Sequence, residues 1–425
     1  TLGLALFWGA GCALAMAFWT RDMRRVAVFA ACVFVSEWLR GHLFGGLPWL
    51  LPGYIWTPGE PISQLASLVG AYGLSLLTLL VAAAPATLLD AQRTSGARIA
   101  PFLAAALVVG MGWGWGAQRI ARAPVDQPGA QPIVRVAESG LGQAEKWRAA
   151  PDQEWRVLRR YLEATGTPGE SRASIVIWPE GAIPVVNFFM LENPVFLDAL
   201  GRALGDRVLI VGTTRRELRG PELLYFNSAA VIDGVSGAAR VSPQIYDKNR
   251  LVPFGEIMPF EDFVNSLNIP SLQAMGGYFT PGARPSRMVV PGGPEVVVLI
   301  CYETIFPGMV PRGAERPGWI VSVTNDSWFG GGIGPQQHYA MARYRAIEEG
   351  LPVARAASGG VSAIIDSFGR EVSSTRRRGN HAEAQIPPAL VETVMAGYGN
   401  VLLIALLLLV GGLRLLPTKT GNASQ

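Results

Sequence analysis

Charge is what this sequence of 425 residues has least of: Asp, Glu, Lys and Arg make up 16%, against about 25% in a typical soluble domain. Half of the residues are hydrophobic and the mean hydropathy is +0.28, so part of the chain is expected in lipid. The 36 basic and 32 acidic residues exclude a chain that is all membrane and imply a water-facing part joined to it. A net charge of +4, with no Lys/Arg-rich run, argues against nucleic acid as a partner. Three cysteines, none in a Cys-x-x-Cys pair, exclude a disulfide framework. Cys12 and Cys32 sit in apolar runs and read as small buried hydrophobes. The histidines are only His42, His338 and His381. They lie far apart and give a metal site little to build on, so neither metal nor cofactor is expected.

Long apolar runs are present where charge is missing. A bilayer needs about 20 mostly apolar residues per helix, and five stretches qualify: Leu2–Trp19, Val26–Leu51 (irregular), Ile62–Leu89, Ile99–Gly116 and Tyr398–Leu416. The fourth contains Gly110-Met-Gly-Trp-Gly-Trp-Gly116, whose spacing of four suits close helix approach. Cationic links mark the cytoplasmic side. Arg21, Arg24 and Arg25 follow the first span and Arg93 and Arg98 precede the fourth. The link Pro52–Pro61 has no cation, so the long polar segment after the fourth span is expected outside. Arg414 and Lys419 return the tail to the inside. The chain opens on Thr1 within an apolar run and reads as lacking its start, with an odd number of spans upstream.

Residues 130–390 differ in texture. Short apolar runs at Ile133–Ala137, Ser174–Trp178, Val208–Gly212, Ala229–Ile232, Val296–Cys301, Ile320–Thr324 and Val361–Ile365 predict strands. Glu154–Leu162 and Gln336–Leu351 carry helical spacing. Strands alternating with helices argue for an α/β layer fold, with Pro270–Pro285 and Pro307–Pro317 as candidate active-site loops.

In three places a reactive side chain stands where an apolar strand ends: Glu180, Lys248 and Cys301. Ligands bind beyond the carboxyl ends of strands in such sheets, so the three are expected to converge. A thiol made nucleophilic beside a cation, a carboxylate to carry its proton and an ammonium facing an oxyanion form a complete acyl-transfer set without histidine. His338, at the start of a helix, reads as structural. Glu37 and Arg40, three apart in an apolar run, read either as a contact for lipid headgroups or as a structural ion pair. The apolar patch Val185–Met190 reads either as a lid or as core.

Trp178-Pro-Glu-Gly181, Lys248-Asn-Arg-Leu-Val-Pro-Phe-Gly-Glu256, Ile300-Cys-Tyr-Glu303 and Thr324-Asn-Asp-Ser-Trp-Phe-Gly330 resemble the carbon–nitrogen hydrolase (nitrilase) superfamily. Together with the spans, Ser36-Glu-Trp-Leu-Arg-Gly41, Gly46-Leu-Pro-Trp49 and Gly70-Ala-Tyr-Gly-Leu-Ser75, they resemble its membrane-bound apolipoprotein N-acyltransferase family. The resemblance implies an α-helical multi-span domain plus an extracytoplasmic αββα sandwich. The membrane part would take residues 1–122, with three more spans upstream, and 396–417. The catalytic domain would take 130–390 and a cytoplasmic tail 418–425.

The resemblance also implies roles: Glu180 as general base, Lys248 as oxyanion stabiliser, Cys301 as nucleophile, and Glu256, Tyr302 and Glu303 in support. It suggests Trp147, Asn325, Trp328 and Phe329 for substrate contact. The implied reaction moves a fatty acyl chain from a phospholipid (phosphatidylethanolamine) to the amine of a diacylglyceryl-cysteine on an apolipoprotein, in the bacterial inner membrane. The residues themselves leave open a membrane-anchored amidase acting on a small amide, or, less well, a lipid-binding scaffold.

Overall fold

The computed structural model of the chain describes residues 2–90, 93–124, 129, 131–146, 148, 150, 152–183, 193–235, 238–259, 266, 279–399 and 401–412. They fall into two compact units, one bounded as Thr1–Ala121 with Tyr398–Gln425 and the other as Arg122–Gly397.

The first unit is helical: α1 (Leu2–Ala17), α2 (Arg24–Arg40), α3 (Ala66–Ala83), α4 (Ser95–Ala121) and a C-terminal helix, Val401–Gly412. Among the described residues two helical stretches, Pro61–Leu89 and Ser95–Ala121, are long and apolar enough to cross a membrane, while α1 and the C-terminal helix are shorter apolar helices. The second apolar run is not one helix. α2 stops at Arg40, because Gly41, Gly45-Gly46, Pro48 and Pro52 supply flexible backbone and remove donors. Ala30 and Phe34 of α2, Ala71 and Leu76 of α3, and Leu403 and Val410 of the C-terminal helix share one core. Close approach involves Gly112 and Gly116: a Cβ on Gly116 would lie 1.9 Å from the Pro61 carbonyl oxygen, whereas Gly110 and Gly114 face open space. Cys32 is buried as expected, but Cys12 is exposed, because α1 is apolar all round and turns that face outward.

Glu37 and Arg40 form a buried ion pair at 2.5 Å. Trp8 Nε1 also donates to Glu37, and Arg40 donates to the carbonyls of Leu47 and, at 2.9 Å, Trp49. The pair therefore ties the irregular segment after α2 back onto the helix, which is its structural reading.

Among the described residues the second unit contains eleven strands: β1 (Ile133–Ala137), β2 (Ile175–Trp178), β3 (Val208–Arg219), β4 (Glu222–Val235), β5 (Ala238–Asp247), β6 (Val296–Ile300), β7 (Trp319–Asn325), β8 (Val353–Ser358), β9 (Ala363–Ile365), β10 (Glu371–Ser374) and β11 (His381–Gln385). One sheet runs β11-β1-β2-β3-β4-β5 and the other β10-β9-β8-β7-β6. β1, β2 and β3 are parallel neighbours, as are β6, β7 and β8. Val134, Ile177 and Val231 from the first sheet meet Val298, Val321 and Ala354 from the second in a shared core. Outside the first sheet, α5 (Gln153–Thr165) and α6 (Pro194–Leu204) bury Leu158 and Phe196 against Val176 and Trp178. Outside the second, α7 (Gly334–Glu349) buries Tyr339 and Ala346 against Leu299 and Ile320. The layers are α-β-β-α, as the resemblance implied. Strands buried on both faces read as unbroken apolar runs, which is why β1, β2, β6 and β7 stand out in the sequence.

Candidate active site

Each of the three reactive side chains expected to converge sits just past a strand. Glu180 follows β2, Lys248 follows β5, and Cys301 opens the turn Cys301–Ile305 after β6. The sandwich brings these ends together. Lys248 is 1% exposed, and its Nζ donates to Glu256 at 2.9 Å and to Glu180 Oε1 at 3.5 Å. Burial alone would lower the lysine pKa, but the charges of Glu180 and Glu256 outweigh it and hold the ammonium well above an ordinary lysine.

Glu180 is held at both oxygens. Oε1 accepts from Asn227 Nδ2 at 2.7 Å, and Oε2 accepts from the Asn325 backbone N–H at 2.9 Å. Glu256 is fixed in the same way: Oε1 also accepts from Asn227 Nδ2 at 2.7 Å, and Oε2 from the Val252 N–H at 2.8 Å. Asn227 of β4 thus joins the two carboxylates, a residue the sequence reading missed. Its one signal is an amide beside Ser228 in the midst of the apolar run of β4.

Cys301 has φ +48°, a left-handed conformation that costs a non-glycine residue roughly 1–3 kcal/mol and collects at functional sites. Burial and then the charge of Glu180 push its thiol above the ordinary cysteine pKa, while Lys248 and a hydrogen bond with the Thr324 side chain oppose the rise. The surroundings thus favour the thiol over the thiolate.

Glu303 is fully buried. It accepts from Tyr246 Oη at 2.6 Å, from the N–H groups of Asn249 and Arg250 at 2.8 and 3.1 Å, and from the Ile300 N–H at 2.8 Å. It fastens the loop after Lys248 to the strand end before Cys301 and so sets their separation. Tyr302 is buried edge-on against Phe306, and burial raises its phenol to about 12.

Asn325 reaches the site through its backbone and spans to Gln143 through its amide at 3.0 Å. Trp328 is 71% exposed, and Phe329 meets the His338 ring edge-on. Trp147 and the patch Val185–Met190 lie outside the described residues.

Residues 135–395 match the carbon-nitrogen hydrolase family, and residues 1–84 match the apolipoprotein N-acyltransferase N-terminal domain. The chain is 40% identical to the apolipoprotein N-acyltransferase of Bradyrhizobium diazoefficiens over 413 residues, covering 94% of this chain and 74% of that protein. It is 37% identical to the Caulobacter vibrioides apolipoprotein N-acyltransferase over 417 residues, covering 96% and 76%. A carbon-nitrogen hydrolase from Helicobacter pylori overlays on 60% of this chain and 89% of its own, with TM-score 0.42 and 17% identity. Matched along nearly its whole length at that identity to the two bacterial acyltransferases, the chain belongs to the apolipoprotein N-acyltransferase family.

Proposed function

We propose that this acyltransferase of lipoprotein maturation works in two steps through a thioester on Cys301. Glu180 takes the thiol proton as the sulfur attacks the ester carbonyl of a phospholipid, with phosphatidylethanolamine the expected donor. Lys248 faces the developing oxyanion. The ester C–O bond then breaks, and Glu180 returns the proton to the departing lysophospholipid. In the second step the α-amine of a diacylglyceryl-cysteine attacks the thioester, Glu180 takes the amine proton, an amide forms, and the thiol is restored. Glu256 and Asn227 hold Lys248 and Glu180 in register, and Glu303 keeps the two loops together. Substrate contact is assigned to Asn325, Trp328, Phe329 and Trp147.

The observation that carries this reading is the buried Lys248, held between Glu180 and Glu256 and acting electrostatically on the Cys301 thiol.

The helical part, residues 1–122 and 396–417, would place the enzyme in the bacterial inner membrane as a multi-pass protein. The catalytic domain, 130–390, would then face the periplasm and the tail, 418–425, the cytoplasm. The arginines at 21, 24, 25, 93 and 98 support that orientation. Both substrates carry acyl chains whose transfer to water costs about 0.8 kcal/mol per CH₂, which gives the membrane part a physical purpose.

The test is the order of release. Vesicles of phosphatidylethanolamine with a labelled glycerol backbone, offered without acceptor, should yield one equivalent of lysophospholipid per enzyme. Further release should wait for a diacylated lipopeptide. Lysophospholipid that appears only when the lipopeptide is present would contradict a two-step transfer.

A further inference from the structure

Cys301 is gripped from behind by groups that the acyl-transfer chemistry does not use. His338, in the first turns of α7, is 1% exposed, and Asp326 and Arg355 are fully buried. His338 Nε2 lies 3.2 Å from the carbonyl oxygen of Cys301, and Nδ1 lies 2.8 Å from Asp326 Oδ1. A carbonyl oxygen can only accept, so Nε2 donates to it. Asp326 Oδ1 also accepts from the Thr324 hydroxyl at 3.1 Å, and the Thr324 side chain is hydrogen-bonded to Cys301. Arg355 of β8 donates to Asp326 Oδ2 at 2.7 Å. One carboxylate therefore reaches both ends of the nucleophilic residue, its carbonyl through His338 and its side chain through Thr324.

We infer that Asp326 and His338 are a positioning pair for the nucleophile. They hold Cys301 in its left-handed conformation so that the sulfur stays aimed at the acyl carbon. A residue at φ +48° relaxes unless its surroundings over-determine it. The hydrogen bond to its own carbonyl opposes that relaxation, because rotation about φ and ψ would carry the oxygen away from Nε2. A buried ion pair such as Asp326–Arg355 is weak evidence for stability compared with packed apolar groups. What it supplies here is a fixed anchor for the imidazole plane. The inference rests on Cys301 being the nucleophile.

The two ring nitrogens allow a direct test in the full chain. His338→Gln puts an amide N–H where Nε2 stands and keeps the donor to Cys301. His338→Asn puts it where Nδ1 stands and keeps only the contact with Asp326. The readouts are the rate of Cys301 alkylation by iodoacetamide, kcat and KM for acylation from phosphatidylethanolamine vesicles, and the melting temperature. A misplacement of about 1 Å can cost on the order of 10²-fold in rate. His338→Asn should therefore lose on the order of 10²-fold in acylation kcat with little change in KM, and His338→Gln should recover most of it at a similar melting temperature. If His338→Asn proves as active as His338→Gln, or both lose activity only in step with melting temperature, the positioning role is overturned. Should the asparagine variant fail to fold, Thr324→Val cuts the other arm. It should slow both alkylation and acylation, and unchanged rates would count against the pair. Cys301→Ala removes the sulfur, and full transfer by that variant would remove the nucleophile assignment itself, an outcome distinct from a His338 that proves indifferent.

Discussion

Lys248 Nζ lies 2.9 Å from Glu256, whose other oxygen is held by the Val252 N–H at 2.8 Å. The ammonium is thus fixed by the loop that follows it, and Glu180, at 3.5 Å, is the looser partner. That asymmetry suits the proposed division of labour. Glu256 orients the cation, while Glu180, less tightly tied to the ammonium, would exchange the proton.

Glu256→Gln should therefore keep the lysine in place but weaken its anchor, lowering acylation by about 10- to 100-fold with a modest loss of stability. Lys248→Met leaves two carboxylates facing each other in a buried site. It should abolish transfer and also cost about 3–5 kcal/mol of stability, the usual penalty for removing one partner of a buried pair. Parallel thermal melts and acylation assays separate the two effects. A Lys248→Met enzyme that melts like the wild type would refute the burial argument.

The thiol of Cys301 makes a prediction with a definite sign. Its pKa is raised, first by burial and then by the negative charge of Glu180. Alkylation by iodoacetamide should accordingly keep rising with pH beyond about 8.5, the ordinary cysteine value. Glu180→Gln removes the charge that opposes the thiolate, so the midpoint of the alkylation profile should move to lower pH even though acyl transfer is lost. A midpoint that stays in place or moves upward would mean that the charge of Glu180 does not oppose the thiolate.

Asn227 bonds to both Glu180 and Glu256 at 2.7 Å. Asn227→Ala removes both bonds at once, leaves carboxylate oxygens under-satisfied, and should lower kcat by about 10- to 100-fold with little effect on KM. Asn227→Asp adds a third carboxylate to the cluster and should be worse, most clearly at high pH. Steady-state kinetics of the two variants check the ranking.

In the helical unit the glycines separate cleanly. Gly116→Ala places a Cβ 1.9 Å from a backbone oxygen, so α4 must move, whereas Gly114→Ala meets open space. The first should lower the melting temperature in detergent by an amount corresponding to about 1–3 kcal/mol. The second should be neutral or slightly stabilising, since alanine favours helix over glycine by about 1 kcal/mol.

Much of the candidate site was legible because the residues that meet there sit in contiguous blocks. Glu180, Lys248, Glu256 and Cys301 each lie within a short motif beside an apolar strand, and the sandwich brings those strand ends together. Asn227 was not legible, because one amide in the long strand β4 carries no local signature and gains its meaning only from two carboxylates contributed by other loops. From sequence His338 reads as structural for a related reason: its partners are a backbone carbonyl and the buried Asp326, and neither contact has a sequence pattern. Among the strands, β8 escaped notice because Val353-Ala-Arg-Ala-Ala-Ser358 is rich in alanine, which favours helix in isolation, yet every residue of it is buried in the sheet. β5 and β11 are edge strands of their sheet, and their mixed polarity hides the pattern. The end of α2 at Arg40 came from glycines and prolines embedded in an otherwise apolar run, which hydropathy alone does not register.

The central claim is a fatty acyl thioester on Cys301, and intact-protein mass spectrometry of the full chain after exposure to phosphatidylethanolamine vesicles tests it most directly. A gain of one fatty acyl mass mapped to Cys301 is expected, released by hydroxylamine or by a diacylated lipopeptide and missing from Cys301→Ala. Acyl transfer that proceeds with the cysteine unmodified throughout, or an adduct on another residue, would contradict it.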